Sequence, residues 1–192
     1  SPDPKQLNFA SRPDPQDPAT ASLADDAAVG LLGIELHTRR RNRMNGTLRQ
    51  QADQGFAIAV EHAFGNCPQY IQLRDFTFVR EPDDFAGLPA AQALEMDSPK
   101  VRAMISAADT FFVSSYVDDA AGRHVDASHR GGKPGFVRIG DDGRFTIPDF
   151  AGNLHYNTFG NFVANPRAGL IFIDFATGDV LQLTGEPALE FE

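Results

Sequence analysis

Apolar and polar positions alternate along much of the chain, and stretches with helical spacing are few and short. Residues 29–36 form a largely apolar run suited to a buried strand, and residues 55–64 set Phe56, Ile58 and Val60 on one side of a second strand. Further strand signals lie at 110–117, 123–128, 168–175 and 180–191. The Asp142-Gly143 turn between 136–139 and 144–147 predicts a hairpin. Ser98-Pro99 reads as an N-cap and first helical position, followed by Val101, Met104, Ile105 and Ala108 at the spacing that buries one face. Shorter helices are predicted over 21–28 behind Thr20, over 90–96, and from Asn153 or Asn157 to about residue 164, where Asn165-Pro166 stops the pattern. Prolines at 2, 4, 13, 15 and 18 predict an extended N-terminal arm. The expected class is mainly β with short helices.

Composition narrows the chemistry. The 192 residues are 42% hydrophobic and 22% charged, enough for a sizeable core. A net charge of −9 argues against nucleic acid and anionic membrane surfaces as partners, since both attract positive potential. No run approaches the length of a membrane span and no signal peptide opens the chain, which gives a cytoplasmic expectation. The lone Cys67 and five scattered histidines form no zinc pattern, so no metal is expected. Cys67 has no base in a nucleophile arrangement, and no catalytic residue is assigned.

Against that acidic background two basic stretches stand out. Residues 126–136 read Asp-Ala-Ser-His-Arg-Gly-Gly-Lys-Pro-Gly-Phe, an anion cradle in which Gly131, Gly132 and Gly135 free the backbone while Ser128, Arg130 and Lys133 supply a hydroxyl, a planar fork and a point charge. It matches neither a phosphate-binding Walker loop nor a Rossmann fingerprint. A glycine-rich hairpin with ordinary surface charges is the alternative. The second stretch packs four arginines into residues 39–43. If it is extended, Arg39, Arg41 and Arg43 share one face and offer guanidinium groups to a phosphate or carboxylate; a solvated hairpin paired with surface acids is the alternative. Asn45-Gly46 marks a turn or bulge. His129, beside the cradle, is a candidate donor to a ligand.

Residues 29–46 and 168–185 also resemble each other: a strand, a turn at threonine and a second strand closed by glycine, 139 residues apart. The earlier copy lacks a glycine-rich loop. The expectation is that its first half lies upstream of Ser1 and that the chain is a fragment of a two-repeat protein.

The motifs Ala108-Asp-Thr-Phe-Phe-Val-Ser-Ser, Ser128-His-Arg-Gly-Gly-Lys-Pro-Gly-Phe-Val-Arg, Thr146-Ile-Pro-Asp-Phe-Ala-Gly-Asn, Asn157-Thr-Phe-Gly-Asn, Asn165-Pro-Arg-Ala-Gly-Leu and Leu181-Gln-Leu-Thr-Gly occur in that order. With Thr38-Arg-Arg-Arg-Asn-Arg-Met-Asn-Gly and Phe64-Gly-Asn-Cys-Pro-Gln-Tyr-Ile-Gln, they span most of residues 29–192. Together they resemble the pyridoxamine 5′-phosphate oxidase-like FMN-binding split-barrel family, in particular its tandem-repeat flavin-nucleotide-binding members. The resemblance implies a six-stranded antiparallel split β-barrel, one full repeat plus part of another. Residues 1–80 would be the C-terminal part of a first repeat with its arm, 81–97 a linker, and 98–192 the second repeat. It implies FMN as cofactor in a groove between two barrels, in a homodimer or a pseudo-dimer of repeats, and an oxidoreductase acting on a small-molecule substrate or electron donor. A flavin- or haem-binding module without its own turnover is the alternative. By motif, Ser128, Arg130, Phe136 and Val137, with the glycines at 131 and 132, would line the isoalloxazine and ribityl side. Asn153, Asn157, Thr158 and Asn161 would hold ribityl or phosphate oxygens, and Arg39, Arg41 and Arg43 would reach the same phosphate.

Overall fold

The computed structural model describes residues 3–10, 13–51, 55–65, 67–81, 84, 87–152 and 154–191, the side chains of Gln50 and Gln51 excepted. Two four-stranded antiparallel sheets and a two-stranded ribbon carry the chain, and none of the three is closed. The first sheet holds β1 (Gln6–Phe9), β2 (Ala28–Glu35), β3 (Arg40–Gln51) and β4 (Gly55–Gly65), in the order β1-β4-β3-β2. The second holds β5 (Thr110–Asp119), β6 (Gly122–Gly131), β9 (Ala168–Ile173) and β10 (Val180–Gly185), in the order β10-β9-β5-β6. The ribbon pairs β7 (Arg138–Ile139) with β8 (Phe145–Thr146). Two α-helices complete the set among the described residues, α1 (Pro99–Ala107) and α2 (Asn157–Ala164).

Local chemistry accounts for these elements. Ser98 caps α1 through its side chain to the Val101 amide, Pro99 starts the helix, and Val101 and Ile105 drop into the core of the second sheet. There they meet Phe111, Val113, Val137, Phe172 and Leu181. Phe111 stacks on Phe172 at 5.2 Å between ring centroids. The first sheet has its own apolar interior at Leu48, Ala57 and Ile58. Asn45-Gly46 is a bulge: the β3–β4 register shifts there, and a Cβ at Gly46 would overlap the Ala59 carbonyl oxygen.

The repeated segments fold alike. β2 pairs with β3 from Val29↔Gly46, and β9 pairs with β10 from Ala168↔Gly185, so both hairpins keep the same register. Their settings differ. β9 is an interior strand beside β5, whereas β2 is the edge of its sheet. That edge runs against β6 without a ladder between them, and Gly30 permits the approach, since a Cβ there would stand 3.3 Å from the Ala127 amide nitrogen.

Several expectations are corrected. Residues 90–96 are not helical; Leu94 and Met96 are exposed, and a single short turn with no surface to cover is marginal in water. The helix expected at 21–28 is instead a 3-10 turn at Pro18–Ser22 capped by Asp17. The proline-rich arm is extended only in part: Gln6–Phe9 is a strand paired with β4, where Phe9 stacks on Phe56, but Pro18–Ser22 is a 3-10 turn. Asn157 does not cap α2: Tyr156 occupies the cap position and Asn157 is the first helical residue, while Asn153 lies outside the described residues. The last strand stops at Gly185. β6 continues through Gly131, so Ser128 to Gly131 belong to a strand end and the loop begins only at Gly132.

Candidate functional site

Arg41 and Arg43 sit two apart on β3, so the alternation of the strand sends both to one face. That face meets the end of β6 and a segment that contributes Pro148, Asp149, Phe150, Gly152 and His155, and between them lies an open cleft of about 60 Å³. Arg41, Arg43, Ser128, Arg130, Gly131 and Phe136 all line it, so strands of both sheets supply the expected site residues.

The three guanidinium groups are held differently. Arg43 is 6% exposed; it donates to Asp126 Oδ1 at 3.0 Å and to Ser128 Oγ at 2.5 Å. Asp126 is 3% exposed, and its other oxygen accepts from Thr158 Oγ1 at 2.9 Å. This is a buried, fully partnered carboxylate that joins β3, β6 and α2. Arg130 stands 3.6 Å from the Asp149 carboxylate and lies over the Phe159 ring at 5.2 Å. Arg41 has no carboxylate partner among the described residues; its Nη2 donates to the Cys67 carbonyl at 2.6 Å. Burial, and then the neighbouring Arg43, lower the Arg41 pKa, with Arg130 adding to the effect. Burial likewise lowers that of Arg130, Asp149 opposing it and Arg43 reinforcing it. The Nε groups of Arg41 and Arg43 are buried without a hydrogen-bond partner among the described residues.

An aromatic wall stands opposite. Phe136 stacks on Phe111 at 5.8 Å, Phe150 lies 6.5 Å from Phe136 and 5.4 Å from Tyr70, and the Tyr70 hydroxyl donates to the Ala151 carbonyl at 2.7 Å. Tyr70 adopts φ 65°, a strained conformation for a bulky residue. Its carbonyl presses on Gly131, where any Cβ would overlap it. His129 also lines the cleft; it is 4% exposed, and neither ring nitrogen has a partner among the described residues. Burial, with Arg41, Arg130 and Arg74 around it, lowers its pKa to about 4, so the imidazole is neutral near pH 7.

The remaining expected residues fall elsewhere. Arg39 does not share the face of Arg41 and Arg43: it precedes β3, is exposed, and has φ 59° in the turn. Val137 is a core residue. Gly132 backs onto the Phe136 ring, and its carbonyl accepts from Gln72 Nε2 at 3.2 Å. Asn157 is exposed at the start of α2, and Asn161 donates to Ser115 Oγ at 3.0 Å. Thr158 serves Asp126 rather than the cleft's open space. Asn153 lies outside the described residues. Sequence reasoning missed Asp126, Asp149, Tyr70 and Phe150. Asp126 and Asp149 do stand inside motifs singled out above, but nothing in their spacing announces an arginine partner.

No group of three or more His, Cys, Asp or Glu side chains capable of holding a metal occurs among the described residues, and no helix there is long and apolar enough to cross a membrane. Comparisons with protein-family models, with curated proteins and with solved structures each found no match. The chemistry of the cleft therefore stands on its own residues.

Proposed function

We propose that the cleft binds the phosphate-bearing end of a flavin mononucleotide and that the protein is an FMN-binding oxidoreductase of the pyridoxamine 5′-phosphate oxidase-like kind. The observation that carries the reading is the convergence of Arg41, Arg43 and Arg130 from two sheets into one cleft of a protein with net charge −9. Arg41 and Arg130 are the two whose pKa burial and neighbouring guanidinium groups lower, and an added anion relieves both. The residues fit the group: buried Nε donors without partners suit phosphate oxygens, and Phe136, Phe150 and Tyr70 offer flat apolar surface to a ring system. Within this reading the two open sheets are parts of split-barrel repeats, supported by the equal register of the β2–β3 and β9–β10 hairpins. A homodimer or a pseudo-dimer of repeats would complete the groove.

The flavin, when bound, would supply the electron and hydride chemistry. The chain's share is to hold and orient it. Arg41 and Arg130 would hold its phosphate, Phe136, Phe150 and Tyr70 would offer it an aromatic surface, and Arg43 with Asp126 braces β3 against β6. His129 stays neutral and so offers one hydrogen-bond donor and one acceptor to an uncharged polar group of the ligand. The second partner is a small-molecule substrate or electron donor.

Absorption spectroscopy of purified protein titrated with FMN is the test. Paired near-ultraviolet and blue bands that remain with the protein after gel filtration are expected, and their loss to the small-molecule fraction would overturn the reading. A second reading, a haem-binding module without its own turnover, has one observation in its favour: the neutral His129 imidazole with both nitrogens unpartnered among the described residues. A Soret band on haem addition, removed by His129→Ala, would select it.

A further inference from the structure

Two acids pair with the cleft's arginines, Asp126 from behind it and Asp149 from its lining, and they are held in opposite ways. Asp126 is deeply buried, 3.0 Å from Arg43, with its second oxygen taken by Thr158. Asp149 has a side chain 42% exposed, sits on a segment without helix or strand, and approaches Arg130 only to 3.6 Å, beyond hydrogen-bond contact. Arg41, in the same cleft, donates to the neutral Cys67 carbonyl and has no carboxylate partner among the described residues. Counting formal charges, the three arginines at +3 and the two aspartates at −2 leave +1, and that charge belongs to Arg41.

We propose that Arg41 is the anchoring cation for a terminal phosphate in this cleft and that Asp149 is a displaceable counterion, competing with that phosphate for Arg130. This rests on the reading of the cleft as a phosphate-ester site and goes beyond it by dividing the labour among the arginines. Arg43 is already neutralised by a carboxylate that cannot leave, so it serves as a brace. Arg41 gains most from an incoming anion because nothing offsets its charge. Arg130 exchanges one oxygen anion for another: the Asp149 carboxylate, half in water and loosely placed, for phosphate oxygens able to accept from its planar fork. The exposed aspartate also selects against weak monoanions, which would have to outcompete a carboxylate already tethered beside Arg130.

Isothermal titration with three probes, inorganic phosphate, FMN and riboflavin, tests the division. Asp149→Asn keeps the side-chain shape at an exposed position and is expected to tighten FMN and phosphate by about two- to fivefold, the scale of an exposed ion pair. Arg41→Met is expected to weaken both by at least about tenfold while leaving riboflavin binding unchanged. Circular dichroism melts confirm that each variant remains folded. Unchanged or weaker phosphate and FMN binding by Asp149→Asn would overturn the competing role and make Asp149 a residue that orients Arg130. Equal losses of FMN and riboflavin in Arg41→Met would overturn Arg41 as phosphate anchor while leaving a flavin site intact. If phosphate shows the expected pattern but neither flavin binds, the inference stands and the flavin reading falls. If neither phosphate nor FMN binds the wild type, both fall.

Discussion

Arg43 and Asp126 illustrate how much of this cleft is decided by single residues. Both are nearly inaccessible to water, and each is the other's charge partner. Such a pair is weak evidence of net stabilisation, because the desolvation of two charges offsets most of their attraction; removing one member, however, strands the other. Arg43→Ala should therefore cost about 3–5 kcal/mol in urea unfolding, and Arg43→Met with Asp126→Leu should cost clearly less than Arg43→Ala alone. A double variant as unstable as the single one would mean that the pair holds β3 to β6 by something other than charge balance. The two ends of this interaction stand differently in the sequence. Strand alternation announced that Arg41 and Arg43 share a face, and it failed for Arg39 because a left-handed turn residue precedes the strand. Asp126 lies 83 residues from its partner, and no local pattern reaches that far.

At the scale of elements, the junction of Gly131 with the segment around Tyr70 governs the mouth of the cleft. The Tyr70 carbonyl occupies the space a side chain at 131 would need, and the segment is held nearby by Gln72 to the Gly132 carbonyl and by Arg41 to the Cys67 carbonyl. Gly131→Ala should lower stability by about 1–3 kcal/mol, as overpacking does, and should weaken anion binding because the displaced segment takes the Cys67 contact of Arg41 with it. Thermal melts and phosphate titration of this variant check both effects; full retention of phosphate binding would show that the segment does not shape the site. The paired hairpins were legible because a strand's register follows its side-chain alternation, so the likeness of residues 29–46 to 168–185 carried through to equal registers. Their neighbours were not legible. Whether a hairpin lies inside a sheet, as β9 does, or along its edge, as β2 does, depends on strands far away in the sequence. The missing helix at 90–96 has the same cause: its residues favour helix locally, but Leu94 and Met96 stay exposed, so no face of such a helix is buried.

For the molecule as a whole, His129 ties stability to pH. Its ring is packed edge-on against Phe112 at 5.8 Å, and the charged groups that act on it are Arg41, Arg130 and Arg74, which oppose protonation, and Asp109, which favours it. Burial contributes most, and the folded-state pKa falls from 6.5 to about 4. Between those values the unfolded chain binds a proton that the folded chain does not, so stability rises with pH across the window. The contribution is fully present above pH 6.5 and is lost as pH falls toward 4. At about 1.36 kcal/mol for each pH unit, the gap is worth at most about 3.4 kcal/mol. Carboxylates titrate over part of the same range, and a comparison of wild type with His129→Phe isolates the histidine. Urea unfolding at about pH 7.5, 5.5 and 4.5 should find the wild type losing more stability than the variant at each step downward, with the two curves closest in slope above about pH 7. Parallel curves throughout would mean that the imidazole gains a partner on protonation, and the neutral donor and acceptor assigned to it in the cleft would then be lost as well.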